Sequence, residues 1–391
     1  MTLSEPIAEP RFTETTVITD LAHVVEIESD WHRLAAARGN AFITPAWMRT
    51  WMTHYGEQAM PLVVAVRDQA GELRGVMPWV RHSGRFDSVR FPGAGLGDVF
   101  HPASPRRDED AVARAALAAL VEHGVRPAAI ILDRVEQDAT WWRSFRAWPG
   151  ARTRVVAFRE EVLPLVEFGD LDWQGYLATR SRNLRSQIGR KRRALERDHE
   201  LSFRQSRDPD QVPEDIALCY RLHDARWQTR GGSGASTESS RRFHADLAAS
   251  LLERGALRLW FLELDGEAVA SWYGWRLGER YIFYQGGFDP DWESASVGFV
   301  LFTETMRAAI DEGAVVYDLL LGSEAYKWRF ATGQRDVQTV VSTRRGHPMS
   351  LLAGAEAAMW RLNRLLPPRV REPAKAVYQR LANFFPTTTR R

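Results

Sequence analysis

The sequence predicts a mixed α/β fold in two domains, and three features of it lead to that expectation. At 391 residues the chain exceeds what one hydrophobic core usually organises, so two domains of roughly 150–200 residues are expected. Hydrophobic residues alternate between helix-like and strand-like spacing along its length, which excludes all-α and all-β folds. A weak internal repeat pairs ALAALVEHGVRPAAIIL in the first half with RAAIDEGAVVYDLLL in the second, each a helix, a glycine and a strand.

In the first half, strands are expected over Pro61–Arg67 and Glu72–Val80 about a turn at Asp68–Gly71, then over Ser88–Phe91. A glycine-rich loop with Gly93, Gly95 and Gly97 follows, then a helix over Asp110–His123 ended by Gly124 and a strand over Ala129–Leu132. In the second half, Asp172–Arg197 reads as one helix, because Leu177, Leu184, Ile188 and Leu195 form a seam. Leu201–Gln205 is a strand, and Pro213 begins a helix over Glu214–Arg226. Gly231–Gly234 is a break before the helix Glu238–Glu253. A meander follows, Leu257–Leu264, Ala268–Leu277 and Arg280–Gly286, with Asp265-Gly266 as a tight hairpin turn. The helix Val297–Glu312 ends at Gly313, before a buried strand Val315–Leu321 and a short helix with Tyr326 and Lys327. The expected divisions are 1–155, 156–345 and a helical tail 346–391. In the tail, Leu351, Ala355, Met359, Leu362 and Leu366 share a face that either docks on the core or touches a membrane surface.

Composition narrows the function. With 45% hydrophobic and 26% charged residues, the chain is neither disordered nor fibrous. A net charge of +2 is too balanced for a surface that grips nucleic acid throughout, so DNA is not an expected partner and any anion site is local. One cysteine, Cys219, allows neither an internal disulfide nor a multi-cysteine zinc site, which points to a reducing compartment, the cytoplasm by default. The first twenty residues lack the basic start and apolar core of a signal peptide, and no stretch approaches 18 uninterrupted apolar residues. The histidines are scattered without HxH or HExxH spacing, so no metal is expected; ATP and dinucleotide fingerprints are missing too.

The order of elements, with RLHDARW at 221–227, LDGEAVASWYG at 264–274, YIFYQGGFDP at 281–290, SVG at 296–298 and DLLLGSEAYKWRF at 318–330, resembles the Gcn5-related N-acetyltransferase (GNAT) superfamily. More narrowly it resembles the CelD/BcsL-type acetyltransferases, a branch similar to the Fem-type aminoacyl transferases, which carry two such folds in tandem. The resemblance spans roughly residues 30–345. It implies two tandem GNAT-like domains, each a mixed, largely antiparallel sheet flanked by helices. It also implies an acyl-CoA donor, acetyl-CoA first, and direct transfer to nitrogen or oxygen of a small-molecule or saccharide-linked acceptor. The chain departs from the superfamily's pyrophosphate loop, Gln/Arg-x-x-Gly-x-Gly/Ala, of which only Ser296-Val297-Gly298 survives. The first half lacks a counterpart of EAYK, so one active site is expected, in or beside the second repeat. Two other functions stay open: Fem-like transfer from aminoacyl-tRNA, and a non-catalytic tandem scaffold for envelope-polysaccharide assembly.

The resemblance then assigns roles. Unpaired N–H groups of Val297, Gly298 and Phe299 after Ser296 would attract a diphosphate at a helix N-terminus. An open strand edge at Tyr284, Gln285, Gly286 and Gly287 would pair with the pantetheine amides, with the two glycines forming a bulge. The alternative is that these glycines only serve a turn. Tyr326 is the candidate proton donor to the leaving thiolate, or else a packed aromatic. His223 is the candidate base, or else a helix-face histidine that only hydrogen-bonds; Asp224 and Asp318 are the runners-up, Asp318 either facing the cleft or capping the next turn. Lys327 would fix an acceptor anion, and Trp227 would contribute to an aromatic acceptor cleft. Arg185 stands for the basic run Arg180–Arg197, which would meet a phosphorylated acceptor, the donor's phosphates or a tRNA, or else is a solvated face. A Cys219–His223 nucleophilic pair at i and i+4 is also considered, against a buried structural thiol.

Overall fold

The computed structural model describes residues 12–365, apart from 84–85, 147–152, 229–236 and 323. The expected break at Gly231–Gly234 and the end of the expected tail lie outside the described residues. The chain divides into two compact units, one of residues 1–160 with 337–390, the other of residues 161–336.

The first unit opens with β1 (Phe12–Ile18), α1 (Glu28–Ala37) and α2 (Pro45–Tyr55). Then come β2 (Ala59–Asp68), β3 (Leu73–His82), β4 (Ser88–Arg90), α3 (Glu109–Glu122) and β5 (Ala129–Glu136). Strands β1 to β4 pair antiparallel in sequence order, and β4 pairs parallel with β5. Trp31, Trp47, Trp51, Trp79 and Trp141 are fully buried and fill this core.

Strand β6 (Thr153–Glu167) leads into the second unit, where α4 (Trp173–Ala178) and α5 (Arg182–Asp198) precede β7 (Leu201–Gln205), α6 (Val212–Gln228) and α7 (Glu238–Glu253). The meander is β8 (Leu257–Leu264), β9 (Glu267–Leu277) and β10 (Arg280–Phe288). It is followed by α8 (Val297–Asp311), β11 (Val316–Asp318) and α9 (Ala325–Phe330). Strands β7 to β10 pair antiparallel, and β10 pairs parallel with β11. Strand β12 (Gly333–Arg344) then carries the chain back to α10 (Pro348–Leu365) of the first unit. The stretches β1 to β5 and β7 to β11 thus share one order, strand, helix, helix, three strands, helix, strand, and pair their strands in the same pattern.

Local chemistry explains the boundaries. Asp265 (φ +53°) and Gly266 (φ +85°) both take left-handed conformations, as a tight β8–β9 hairpin requires. The single helix expected over Asp172–Arg197 is two helices. Asp172 caps α4 by accepting from Gly175 N at 2.7 Å, and Ser181 caps α5 by accepting from Leu184 N at 3.3 Å. Strand β11 is shorter than expected because Asp318 accepts from Leu320 N at 3.1 Å and Leu320 turns to φ +52°.

The described part of the expected tail is α10, which packs on β5. Met349, Ala353 and Ala357 are buried against Ala129 and Ile131, and Glu356 pairs with Arg159. The apolar face expected to dock is displaced: Leu351 and Leu362 are 74% and 59% exposed. The small Ala353 and Ala357 let the helix lie close to the strand, which the larger leucines would prevent. No helix among the described residues is long and apolar enough to cross a membrane.

Candidate functional site

Strand β10 pairs with β9 from Arg280 to Phe288, but with β11 only over Arg280–Ile282. From Phe283 onward no strand among the described residues pairs with the second edge of β10, so its backbone there is open to an extended ligand. The expected bulge is real but sits at Tyr284, between Phe283 and Gln285, not at the glycines. The glycines permit close approach instead. A Cβ on Gly287 would run into the backbone of Leu222 and His223 in α6, and one on Gly286 would lie 3.1 Å from Ser271 O.

The open edge, the start of α8 and α9 line a cavity of about 220 Å³. Gly286, Gly287 and Phe288 form one wall, Ser296, Val297, Gly298 and Phe299 another, and Tyr326 and Phe330 a third. Its floor is apolar, with Trp272, Phe283 and Phe302; Arg226, Glu293 and Tyr326 are its ionisable lining groups.

Ser296 adopts a left-handed conformation (φ +63°) and does not cap α8 with its side chain. Its hydroxyl instead accepts from Lys191 Nζ of α5. The N–H of Phe299, expected to face a phosphate, donates to Ser296 O at 3.0 Å, as does that of Val300 at 3.1 Å. Val297 and Gly298 therefore supply the donors at the tip. Lys191 and Arg329 lie 5.6 Å and 5.5 Å from the centre of the Phe299 ring. Burial, and the like charges of Arg190 and Arg329, pull the Lys191 ammonium below its ordinary pKa. The corresponding helix of the first unit, α3, carries Asp108 at its cap and Glu109 and Asp110 in its first turn, and β4 is only three residues long. Among the described residues, only the second unit joins a long open edge to an uncharged helix tip.

Tyr326 lies in the cavity wall, its ring edge-on to Phe302 at 5.7 Å. Burial and the nearby Glu324 push its phenol up while Arg226 opposes them, so it keeps its proton at neutral pH. His223 is not itself a cavity-lining residue; it lies just behind the edge, with Nδ1 3.3 Å from Gly286 O. A ring nitrogen beside a carbonyl must carry the hydrogen, which leaves Nε2 with the lone pair. Burial pulls the His223 pKa down, against the contact to Gly286, and keeps the ring neutral.

Other expected residues stand elsewhere. Asp318 is 2% exposed and paired with Arg280 at 3.3 Å and with Arg335, outside the cavity lining. Burial alone would raise its pKa, but Arg335 and Arg280 hold the carboxyl below its ordinary value. It is a structural ion-pair member that caps the turn, not a base. Lys327 is 4% exposed; Nζ donates to Leu321 O at 2.6 Å and stands 3.3 Å from Glu324, so it anchors the loop after β11 instead of meeting an acceptor. Tyr284 packs its ring on His244, Trp275 and Tyr273, at 4.8, 5.2 and 5.8 Å. Gln285 pairs with Tyr273 in register and so shares its face; neither Tyr284 nor Gln285 lines the cavity. Arg185 is exposed and donates to Ala178 O and Arg180 O, closing the break between α4 and α5. Trp227 is half-buried, 6.1 Å from the His223 ring. Cys219 is fully buried and its thiol is pushed up to about 12, which removes the nucleophilic pair.

The basic run divides in the same way. Arg180 donates to Phe330 O and Ala331 O, Arg192 pairs with Glu304 and Glu196, and Arg197 with Asp198. Lys191 is the member that reaches the helix tip. Sequence reasoning missed Arg226 and Glu293 as lining residues, although Arg226 lies within the quoted RLHDARW segment. Among the described residues, no group of three or more His, Cys, Asp or Glu is placed to hold a metal ion.

Residues 182–328 match a domain family described as acetyltransferase (GNAT) domain. Among solved structures, the chain is similar to one described as FemX, with 12% identity over 87% of this chain and 99% of that one, at a TM-score of 0.65. It is also similar to the C-terminal domain of a putative lysylphosphatidylglycerol synthetase from Agrobacterium fabrum, with 13% identity over 86% and 97% of the two chains, at a TM-score of 0.54. A conserved protein of unknown function from Bacteroides thetaiotaomicron matches at 12% identity over 86% and 100%, with a TM-score of 0.51. At these identities the likeness is one of fold. No curated protein sequence matches the chain significantly.

Proposed function

We propose that the chain transfers an acyl group, acetyl first, from coenzyme A directly to an amine or hydroxyl of a small-molecule or saccharide-linked acceptor, as a member of the CelD/BcsL-type branch. The observation that carries this is the parting of β10 from β11 beyond Ile282, with the α8 tip on the same cavity. The arm of the thioester runs along Gly286–Gly287, and a backbone N–H of that edge meets the developing oxyanion. The N–H groups of Val297 and Gly298 receive the diphosphate, and Lys191 adds a positive charge where the missing part of the glycine loop would have added backbone donors.

Neutral His223 accepts the acceptor's proton at Nε2. With its phenol pushed up, Tyr326 does not protonate the thiolate outright; it stabilises the departing sulfur by donating a hydrogen bond. Tyr326→Phe is expected to lower kcat by about 10²-fold with an unchanged melting temperature. Because the His223 pKa is lowered from its ordinary value, the acid limb of kcat/KM should have its midpoint below pH 6.5. His223→Gln should lower the plateau and remove that limb.

Isothermal titration with acetyl-CoA and longer acyl-CoAs tests the donor. Gly298→Asp puts a carboxylate at the tip and is expected to weaken acetyl-CoA at least about tenfold. Fem-like transfer from aminoacyl-tRNA is the second reading, favoured by the exposed Arg182, Arg185, Arg190 and Arg193 of α5; binding of aminoacyl-tRNA but no acyl-CoA would establish it. A protein that binds neither donor would be the tandem scaffold.

A further inference from the structure

Helix α9 carries Tyr326 and is only six residues long, too short to be stable alone, so what grips its ends sets its position. At its C-terminal end Phe330 O accepts from the Tyr176 hydroxyl at 3.0 Å and from Arg180 Nη1 at 3.2 Å. Ala331 O accepts from the same arginine nitrogen at 2.9 Å. Arg180 lies in the break between α4 and α5, outside the helix that carries the rest of the basic run. Its guanidinium stands 5.5 Å from the centre of the Tyr176 ring, and its Nε donates to Thr179 Oγ1 at 3.0 Å, so the side chain is held on its own side of the contact too. Tyr176 is fully buried, and burial pushes its phenol up, so the hydroxyl keeps the hydrogen that it donates.

Phe330 lies one turn on from Tyr326, and both rings meet Phe302, at 5.0 and 5.7 Å. A grip on the Phe330 carbonyl therefore fixes how α9 is rotated about its axis, and with it where the Tyr326 phenol stands in the cavity wall. We infer that Arg180, together with Tyr176, is a positioning residue for Tyr326: it clasps the end of α9 so that the phenol meets the donor's sulfur. This rests on the part given to Tyr326 in the acyl transfer proposed above. Misplacing a reacting group by about 1 Å is enough to cost about 10²-fold in rate.

Arg180→Gln, Arg180→Lys, Tyr326→Phe and the double variant Arg180→Gln with Tyr326→Phe test it. Turnover is read as thiol release from acetyl-CoA with hydroxylamine, a nucleophile that needs no acceptor-binding groups. Arg180→Gln is expected to lower kcat about tenfold while the acetyl-CoA dissociation constant stays within about twofold; Arg180→Lys, which keeps a donor for the carbonyls, should recover part of the loss. The double variant should be no slower than Tyr326→Phe alone, since without the hydroxyl there is nothing left to position. Hydrogen exchange of the α9 amides, followed by mass spectrometry on the donor-free protein, should quicken at least about fivefold in Arg180→Gln and stay unchanged in α8. An unchanged kcat in Arg180→Gln, a loss by the same factor whether or not the Tyr326 hydroxyl is present, or unchanged exchange in α9 overturns the inference. A parent protein that releases no thiol from acetyl-CoA removes the proposed function, while the exchange measurement still decides whether Arg180 holds α9.

Discussion

Gly287→Val is expected to destabilise the second unit by about 3 kcal/mol and to abolish transfer. The cause is steric: the added Cβ would meet Leu222 and His223 backbone, which cannot swing aside as a side-chain end can. Helix α6 would have to move off β10, taking with it the contact between His223 and Gly286 and the position of Arg226. Urea denaturation and acetyl-transfer assays on the same preparation check this. Gly298→Ala serves as the control, because its Cβ would meet only the Phe288 ring, at 3.0 Å, and the cost should stay below about 1 kcal/mol. A Gly287→Val protein as stable as the parent would mean that α6 does not rest on that strand.

Asp318→Asn is the second large effect, about 3 kcal/mol of lost stability, since it strips the carboxylate from Arg280 and Arg335 at a site 2% exposed. The pH dependence has a definite sign. The folded carboxyl titrates below its ordinary 3.8, so its stabilising contribution is complete above about pH 4 and is lost as the pH falls through the folded value. Thermal melts from pH 7 down to 2.5 should show a constant gap between parent and variant above about pH 4 and a narrowing gap below it. Curves that stay parallel throughout would show that Asp318 is not the source. Because Asp318 lies outside the cavity lining, the acetyl-CoA dissociation constant of the folded variant should match that of the parent.

Much of this arrangement could be read in the sequence. Strand alternation, the Asp265-Gly266 turn and the glycines that end helices act over a few residues, so the meander and the start of α8 were located closely. The side-chain roles were less legible. The bulge at Tyr284 puts both Tyr284 and Gln285 on the α7 side, which no regular alternation predicts. Lys327 resembles a substrate ligand until the chain path brings Leu321 O to its ammonium. The two arginines that claim Asp318 come from β10 and β12, 38 and 17 residues away along the chain. Thr179 ends one helix and Ser181 starts the next although the leucine seam runs straight across them.

The acidic start of α3 fixes what the first unit can become. Asp108 is held by Arg74 at 3.2 Å and Glu109 by Arg38, and both carboxylates are almost wholly enclosed. Neutralising them to make room for phosphates would take the buried carboxylate partners from two half-buried arginines, and the three-residue β4 would still give an extended arm little to lie along. Point mutation alone therefore does not turn the first unit into a second donor site: the tip of α3 and the short β4 are committed to holding that unit together.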